Sequence, residues 1–236
     1  MSPTSRNIKN KKWERKMSFI VAIDGPAGAG KGTITKQVAE KLNLINVDTG
    51  ATFRCVALNM FKENISIDEE EKIKNLLEKI NIEMKSNGEI YLNGENVTKK
   101  IRENDVNNFV SPVSTIQIVR NKLLEIQRKI AEGKDVIMEG RDIGTTVFPN
   151  ADIKIYLDAT PEERARRRVL QNKEKGIETS YEEVLENIKD RDKRDSTRKI
   201  SPLKKAEDAI YIDSSDMTIE EVVDKVITLI KEKYKK

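Results

Sequence analysis

From Phe19 to Leu42 the chain passes through three patterns in immediate succession, and their order restricts the fold more than any other feature of the sequence. Phe19-Ile20-Val21-Ala22-Ile23-Asp24 is a short apolar run of the kind that forms a parallel strand buried on both faces. It stops at Gly25-Pro26-Ala27-Gly28-Ala29-Gly30-Lys31-Gly32-Thr33, after which Ile34, Val38, Ala39 and Leu42 fall at helical spacing. Glycines between a strand and a helix let successive backbone N–H groups turn inward as an anion nest. The helix end adds free amides and partial positive charge. Lys31 supplies a mobile cation, so the segment reads as a phosphate-binding loop for a nucleoside triphosphate. A chance glycine-rich turn is the alternative, and strand, lysine and helix standing in register argue against it. Where the general motif has Ser or Thr after the lysine, this chain has Gly32, and Thr33 follows one place later. A magnesium ion is therefore expected to meet the protein through water, with Thr33 the nearest hydroxyl.

The rest of the chain repeats the alternation. Apolar runs at 44–47, 135–138, 153–157 and 210–212 are separated by helical patterns such as 119–131 and 161–171. Strands alternating with helices predict an α/β fold with a parallel sheet covered by helices on both faces. One stretch departs from this. Ile80 to Lys85 alternates apolar and polar residues, Asn87-Gly88 reads as a two-residue hairpin turn, and Glu89 to Leu92 returns before a second Asn93-Gly94. A small antiparallel insertion with little core of its own is expected there, packed on the main body or moving against it.

Composition removes several chemistries. The 236-residue chain has no histidine and a single cysteine, Cys55, which excludes an internal disulfide, the usual zinc sites and any histidine-based triad. No apolar stretch approaches the length that spans a bilayer and no secretory signal pattern opens the chain, so a cytoplasmic protein without a membrane partner is expected. Of the net charge of +4, residues 1–16 hold +5, which leaves the remaining 220 residues at −1. The basic bias thus belongs to that segment, expected to be a disordered tail or an added piece ahead of Met17, and no nucleic-acid partner is required.

Three further segments carry a resemblance. Asp48-Thr49-Gly50-Ala51-Thr52-Phe53-Arg54, Glu139-Gly140-Arg141-Asp142-Ile143-Gly144-Thr145-Thr146-Val147-Phe148-Pro149 and Arg191-Asp192-Lys193-Arg194-Asp195 follow the Gly-Lys-Gly-Thr loop in order. Together they resemble the bacterial cytidylate kinases from about Phe19 to Lys231; Thr49 and Phe53 stand where that family more often has Ser and Tyr. The resemblance implies a nucleoside monophosphate kinase with a P-loop core, an insertion at about 64–105 in the monophosphate-binding region and a helical lid at about 161–180, all within a domain covering 17–236. It implies MgATP as donor, CMP and dCMP as acceptors, and action as a monomer.

The resemblance also distributes roles. Gly25 to Thr33 would hold ATP, with Lys31 on the β- and γ-phosphates. Arg54 and Arg141 would hold the acceptor's α-phosphate, near Thr49; forked guanidinium groups suit a phosphate dianion. The alternative for these two is ordinary pairing with Asp48 or Asp142. Ser111, Arg120, Asp142 and Arg198 would read the cytosine ring, and Arg191 with Asp195 would hold the sugar hydroxyls. Arg191, Asp195 and Arg198 are spaced i, i+4, i+7, so one helix face can present all three, though the same spacing serves plain exposed ion pairs. Arg164 and Arg168, on a helix opened by Pro161, Glu162 and Glu163, would be lid cations that meet the transferring phosphoryl group. Kinases for UMP, AMP or dTMP, or a P-loop switch or ATPase, remain the other readings.

Overall fold

The computed structural model describes residues 18–85, 88–174 and 176–234; the basic segment at 1–16, together with Met17 and Asn87, lies outside the described residues. Strand β1 (Ile20–Asp24) runs through the middle of a five-stranded sheet, and its side chains alternate between two apolar layers. Val21 and Ile23 pack with Ile34, Val38 and Ala39 of α1 (Lys31–Leu42) and with Val222, Val223 and Val226 of α8 (Ile219–Tyr234). Ile20 and Ala22 face the other way, toward Ala131 and Leu124 of α5 (Gln117–Ala131). A continuous apolar run is what a strand covered on both faces requires.

The remaining strands are β2 (Ile45–Asp48), β6 (Val136–Gly140), β7 (Ile153–Asp158) and β8 (Ile210–Asp213). The order is β2-β6-β1-β7-β8 and every pairing is parallel, with Asp24 level with Gly140 on one side and Tyr156 on the other. The expected α/β sheet with helices on both faces is therefore present. Chain order reverses on either side of β1, so the loops after β1, β2 and β6 leave the same edge of the sheet side by side, where open α/β sheets bind ligands.

After α2 (Thr49–Lys62) and α3 (Glu70–Lys79) comes the inserted sheet of β3 (Ile82–Met84), β4 (Ile90–Leu92) and β5 (Glu95–Asn96), antiparallel throughout. Its two turns differ. Asn93 and Gly94 have φ of 50° and 84°, a two-residue turn with both residues left-handed. The first connection is longer than expected: Met84 pairs with Ile90 and the Lys85 N–H donates to Glu89 (2.9 Å), so three positions separate the strands, with Gly88 at φ 84°. The insertion is also better cored than its length suggested. Ile82, Ile90, Leu92 and Val97 join Ile73, Leu76 and Leu77 of α3, Val56 and Met60 of α2, Val110 of α4 (Asn104–Val113) and Leu123 of α5 in one buried cluster. Two further helices, α6 (Pro161–Glu174) and α7 (Tyr181–Thr197), form an antiparallel pair around a small cluster of Ala165, Val184 and Ile188.

Candidate active site

Gly25 begins the loop at a φ of +151°, and a β-carbon there would lie 1.9 Å from the carbonyl oxygen of Leu157, so only glycine lets the chain leave β1 this close to β7. Gly28 and Gly30 are left-handed, at φ +83° and +85°, and Gly30 caps α1 with no side chain in the way of its free amides. The Lys31 ammonium folds back onto the carbonyl oxygens of Gly25 and Pro26, 2.7 Å from each. Residues 27–33 line a cleft of about 1980 Å³, whereas Gly25 and Pro26 lie beneath its floor and hold the lysine.

A β-carbon on Gly32 would come within 3.0 Å of Glu139 Oε1. The carboxylate of β6 thus occupies the space into which a Ser or Thr side chain would project, which accounts for the departure from the general motif. Burial, and then Asp48, push the Glu139 carboxyl up to about 7, while burial, and then Arg141, push Lys31 down to about 7. Among the described residues no group of three or more Asp, Glu or Cys side chains could hold a metal ion by itself.

The same cleft takes in every other site residue expected from the sequence: Thr49, Arg54, Ser111, Arg120, Arg141, Asp142, Arg164, Arg168, Arg191, Asp195 and Arg198. Arg54, the sixth residue of α2, donates from Nε to Asn107 Oδ1 (3.1 Å), and Asn107 Nδ2 donates in turn to the Arg102 carbonyl (2.7 Å), so α4 aims this guanidinium. Thr49 is nearly buried and its hydroxyl donates to the Glu139 carbonyl (2.7 Å), tying the end of β2 to the end of β6.

Beyond β6, four guanidinium groups surround two buried carboxylates. Arg120 Nη2 donates to Asp142 Oδ2 (2.5 Å), and Arg198 lies 3.7 Å from the other oxygen. Arg141 Nε donates to Asp195 Oδ2 (3.1 Å), with Arg198 and Arg191 at 3.9 and 4.0 Å. These are not exposed surface pairs: Asp142 and Asp195 are 6% and 7% exposed. Arg198 is the residue after α7 and not part of its last turn, so the helix face presents two of the three and the chain's exit brings the third. Two donors in this cluster, Arg191 Nε and Arg198 Nη2, are buried without a hydrogen-bond partner. Burial, then Arg141, push Arg191 down to about 10, and burial, then Arg120, lower Arg198. A buried donor without a hydrogen bond costs on the order of 1–3 kcal/mol, so the cluster has donors free to meet acceptor oxygens.

The lid arginines differ from one another. Arg164 is 3% exposed and donates to Ala159 and Ala27 carbonyls (2.8 and 3.0 Å) and to both oxygens of Asp192 (3.1 and 2.5 Å). It fastens α6 and α7 to the phosphate loop and is not a solvated surface cation. Arg167 is held by Glu163 and Ser214, while Arg168 lines the cleft with no ion-pair partner among the described residues. Sequence reasoning assigned nothing to Glu139, Asp192 or Asn107, all of which act on motif residues through contacts distant in sequence.

Comparison with known proteins agrees with this geometry. The profile of the family described as cytidylate kinase matches residues 21–232. A cytidylate kinase of Fusobacterium nucleatum is 51% identical over 206 residues, covering 87% of this chain and 94% of its own. Another from Caldicellulosiruptor saccharolyticus is 51% identical over 212 residues (89% and 94%), and one from Bacillus subtilis 44% over 223 (93% and 99%). A crystal structure of an uncharacterized protein from Eubacterium ventriosum shares the fold, with a TM-score of 0.50 at 15% identity over 90% of this chain and 98% of that one. With a phosphate loop and a guanidinium cluster lining one cleft and this match along nearly all the described residues, the chain belongs to the cytidylate kinase family.

Proposed function

We propose that this chain transfers the γ-phosphoryl group of MgATP to CMP and dCMP, giving ADP and CDP or dCDP. The observation that carries the reading is the pair of buried guanidinium donors on Arg191 and Arg198 that make no hydrogen bond, set in the same cleft as the phosphate loop. Gly25 to Thr33 hold the triphosphate, and Lys31 leaves the Gly25 and Pro26 carbonyls for the β- and γ-phosphates. Arg54 and Arg141 hold the acceptor's α-phosphate beside Thr49. Asp142 accepts from the cytosine amino group while Ser111, Arg120 and Arg198 serve its acceptor edge. Arg191 and Asp195 hold the sugar hydroxyls.

An acceptor phosphate oxygen is already a nucleophile at neutral pH, so no strong base is needed and a histidine-free chain suffices. Catalysis comes from alignment and from cations placed where charge develops. Closing α6 over the donor brings Arg168 toward the transferring group and keeps water from competing, while Arg164 stays fastened to the phosphate loop. The Thr33 hydroxyl and the Glu139 carboxylate would hold the magnesium of MgATP through its water shell, where the ion would offset phosphate charge. On this reading the chain acts as a monomer on cytoplasmic nucleotides.

Initial rates of ADP release with CMP, dCMP, UMP, AMP and dTMP test the proposal, with CMP and dCMP expected to be phosphorylated fastest. Slow ATP hydrolysis stimulated by RNA, with no transfer to any monophosphate, would replace it with the switch or ATPase reading.

A further inference from the structure

The reaction as proposed leaves one buried carboxylate unused. Asp24 ends β1 and is 5% exposed. Its two oxygens accept from consecutive backbone amides 119 and 120 residues away, Oδ1 from Ile143 (2.7 Å) and Oδ2 from Gly144 (2.8 Å). Those amides open a single π turn, Ile143–Val147, entered directly from Asp142. The Asp142 carbonyl closes the turn from inside, accepting from Thr146 and Val147 (2.8 and 3.1 Å). The turn is seated without slack: a β-carbon on Gly144 would lie 3.0 Å from Lys154 Cδ and 3.4 Å from Asp24 Oδ2. Backbone leaving the Asp142 side chain is thereby fixed, and that side chain lies between Arg120 and Arg198.

The pair of amides calls for an ionised carboxylate. It offers two acceptor oxygens at the spacing of two adjacent N–H groups and no donor, whereas an amide of the same shape would turn an NH2 toward one of them. We infer that Asp24 is a positioning residue for acceptor selection: its bidentate grip on Ile143 and Gly144 sets where the Asp142 carboxylate stands, and so sets the discrimination between cytosine and uracil rings. The inference rests on the reading of the cleft as a CMP site. Charge in the surroundings is mixed. Burial pushes Asp24 up to about 6, the two amides oppose this, Asp142 adds to it and Lys31 counters it. The Lys154 stem packs on Gly144 while its ammonium reaches Asp208 (2.9 Å).

The test compares kcat/KM for CMP and UMP, and KM for ATP, in the full chain, Asp142→Asn and Asp24→Asn. Both variants are expected to lower the CMP-to-UMP selectivity, Asp24→Asn by about tenfold, the scale of one misplaced charge-assisted contact, with KM for ATP changed less than about threefold. A merely structural role would lower turnover on both acceptors together. Transfer to CMP by the full chain with selectivity unchanged in Asp24→Asn overturns the inference alone; no transfer by the full chain removes the underlying reading, and the inference with it. If Asp24→Asn does not fold, the unmodified protein still decides by NMR. In it the CMP-to-UMP selectivity should fall together with the shift of the Ile143 and Gly144 amide resonances as the Asp24 carboxyl protonates, and selectivity that stays constant while those resonances move overturns the proposal.

Discussion

Lys31 and Glu139 share the floor of the donor site, one pushed down and the other up to about 7. An incoming triphosphate favours the protonated form of both. Burial works against the charged form of each, so nucleotide binding at pH 8 should take up protons, and the uptake should shrink as the pH falls toward 6. The γ-phosphate does not obscure this at pH 8, being ionised already. Calorimetric titration with MgATP in two buffers of different ionisation enthalpy measures the effect. Lys31→Ala should remove much of the uptake and abolish turnover while the circular dichroism spectrum stays native. The residues that motifs name were legible because loop glycines and arginines carry their chemistry in their identity. Their supports were not: Asp24 meets Ile143 and Arg164 meets Asp192 across separations that only tertiary packing closes. The available signal was positional, since Asp24, Asp48 and Glu139 all stand at the ends of apolar runs.

Elements were readable where periodicity and turn chemistry agreed. The strand–loop–helix unit and the Asn93-Gly94 turn formed as their residues dictate, but the first hairpin took a three-position connection because register follows which side chains face the core. Burial of the insertion was not legible, because its apolar face is completed by α2, α4 and α5. One polar contact crosses that packing: Gln127 Nε2 of α5 donates to Thr52 Oγ1 of α2 (2.9 Å), both buried. Thr52→Val leaves the amide without its acceptor and should cost about 1–3 kcal/mol. Thermal unfolding should register the loss, and Thr52→Val combined with Gln127→Leu should recover much of it.

For the whole molecule, the apolar layers on both faces of the sheet set a stable frame, and the cleft sets against it a crowd of like charges. Arg120, Arg141, Arg191 and Arg198 surround Asp142 and Asp195, and Arg54 stands nearby. The mutual repulsion of these groups opposes folding until an anion arrives, since a ligand that binds only the folded chain raises its stability by mass action. Pyrophosphate or sulfate should therefore raise the melting temperature of the unliganded protein more than chloride at equal ionic strength. Arg191→Met should raise it with no anion present while weakening CMP binding. The groove that recognises the nucleotide then also detracts from the stability of the empty protein, so cellular supply of its substrates would bear on how long the chain survives heat or proteolysis as well as on how fast it turns over.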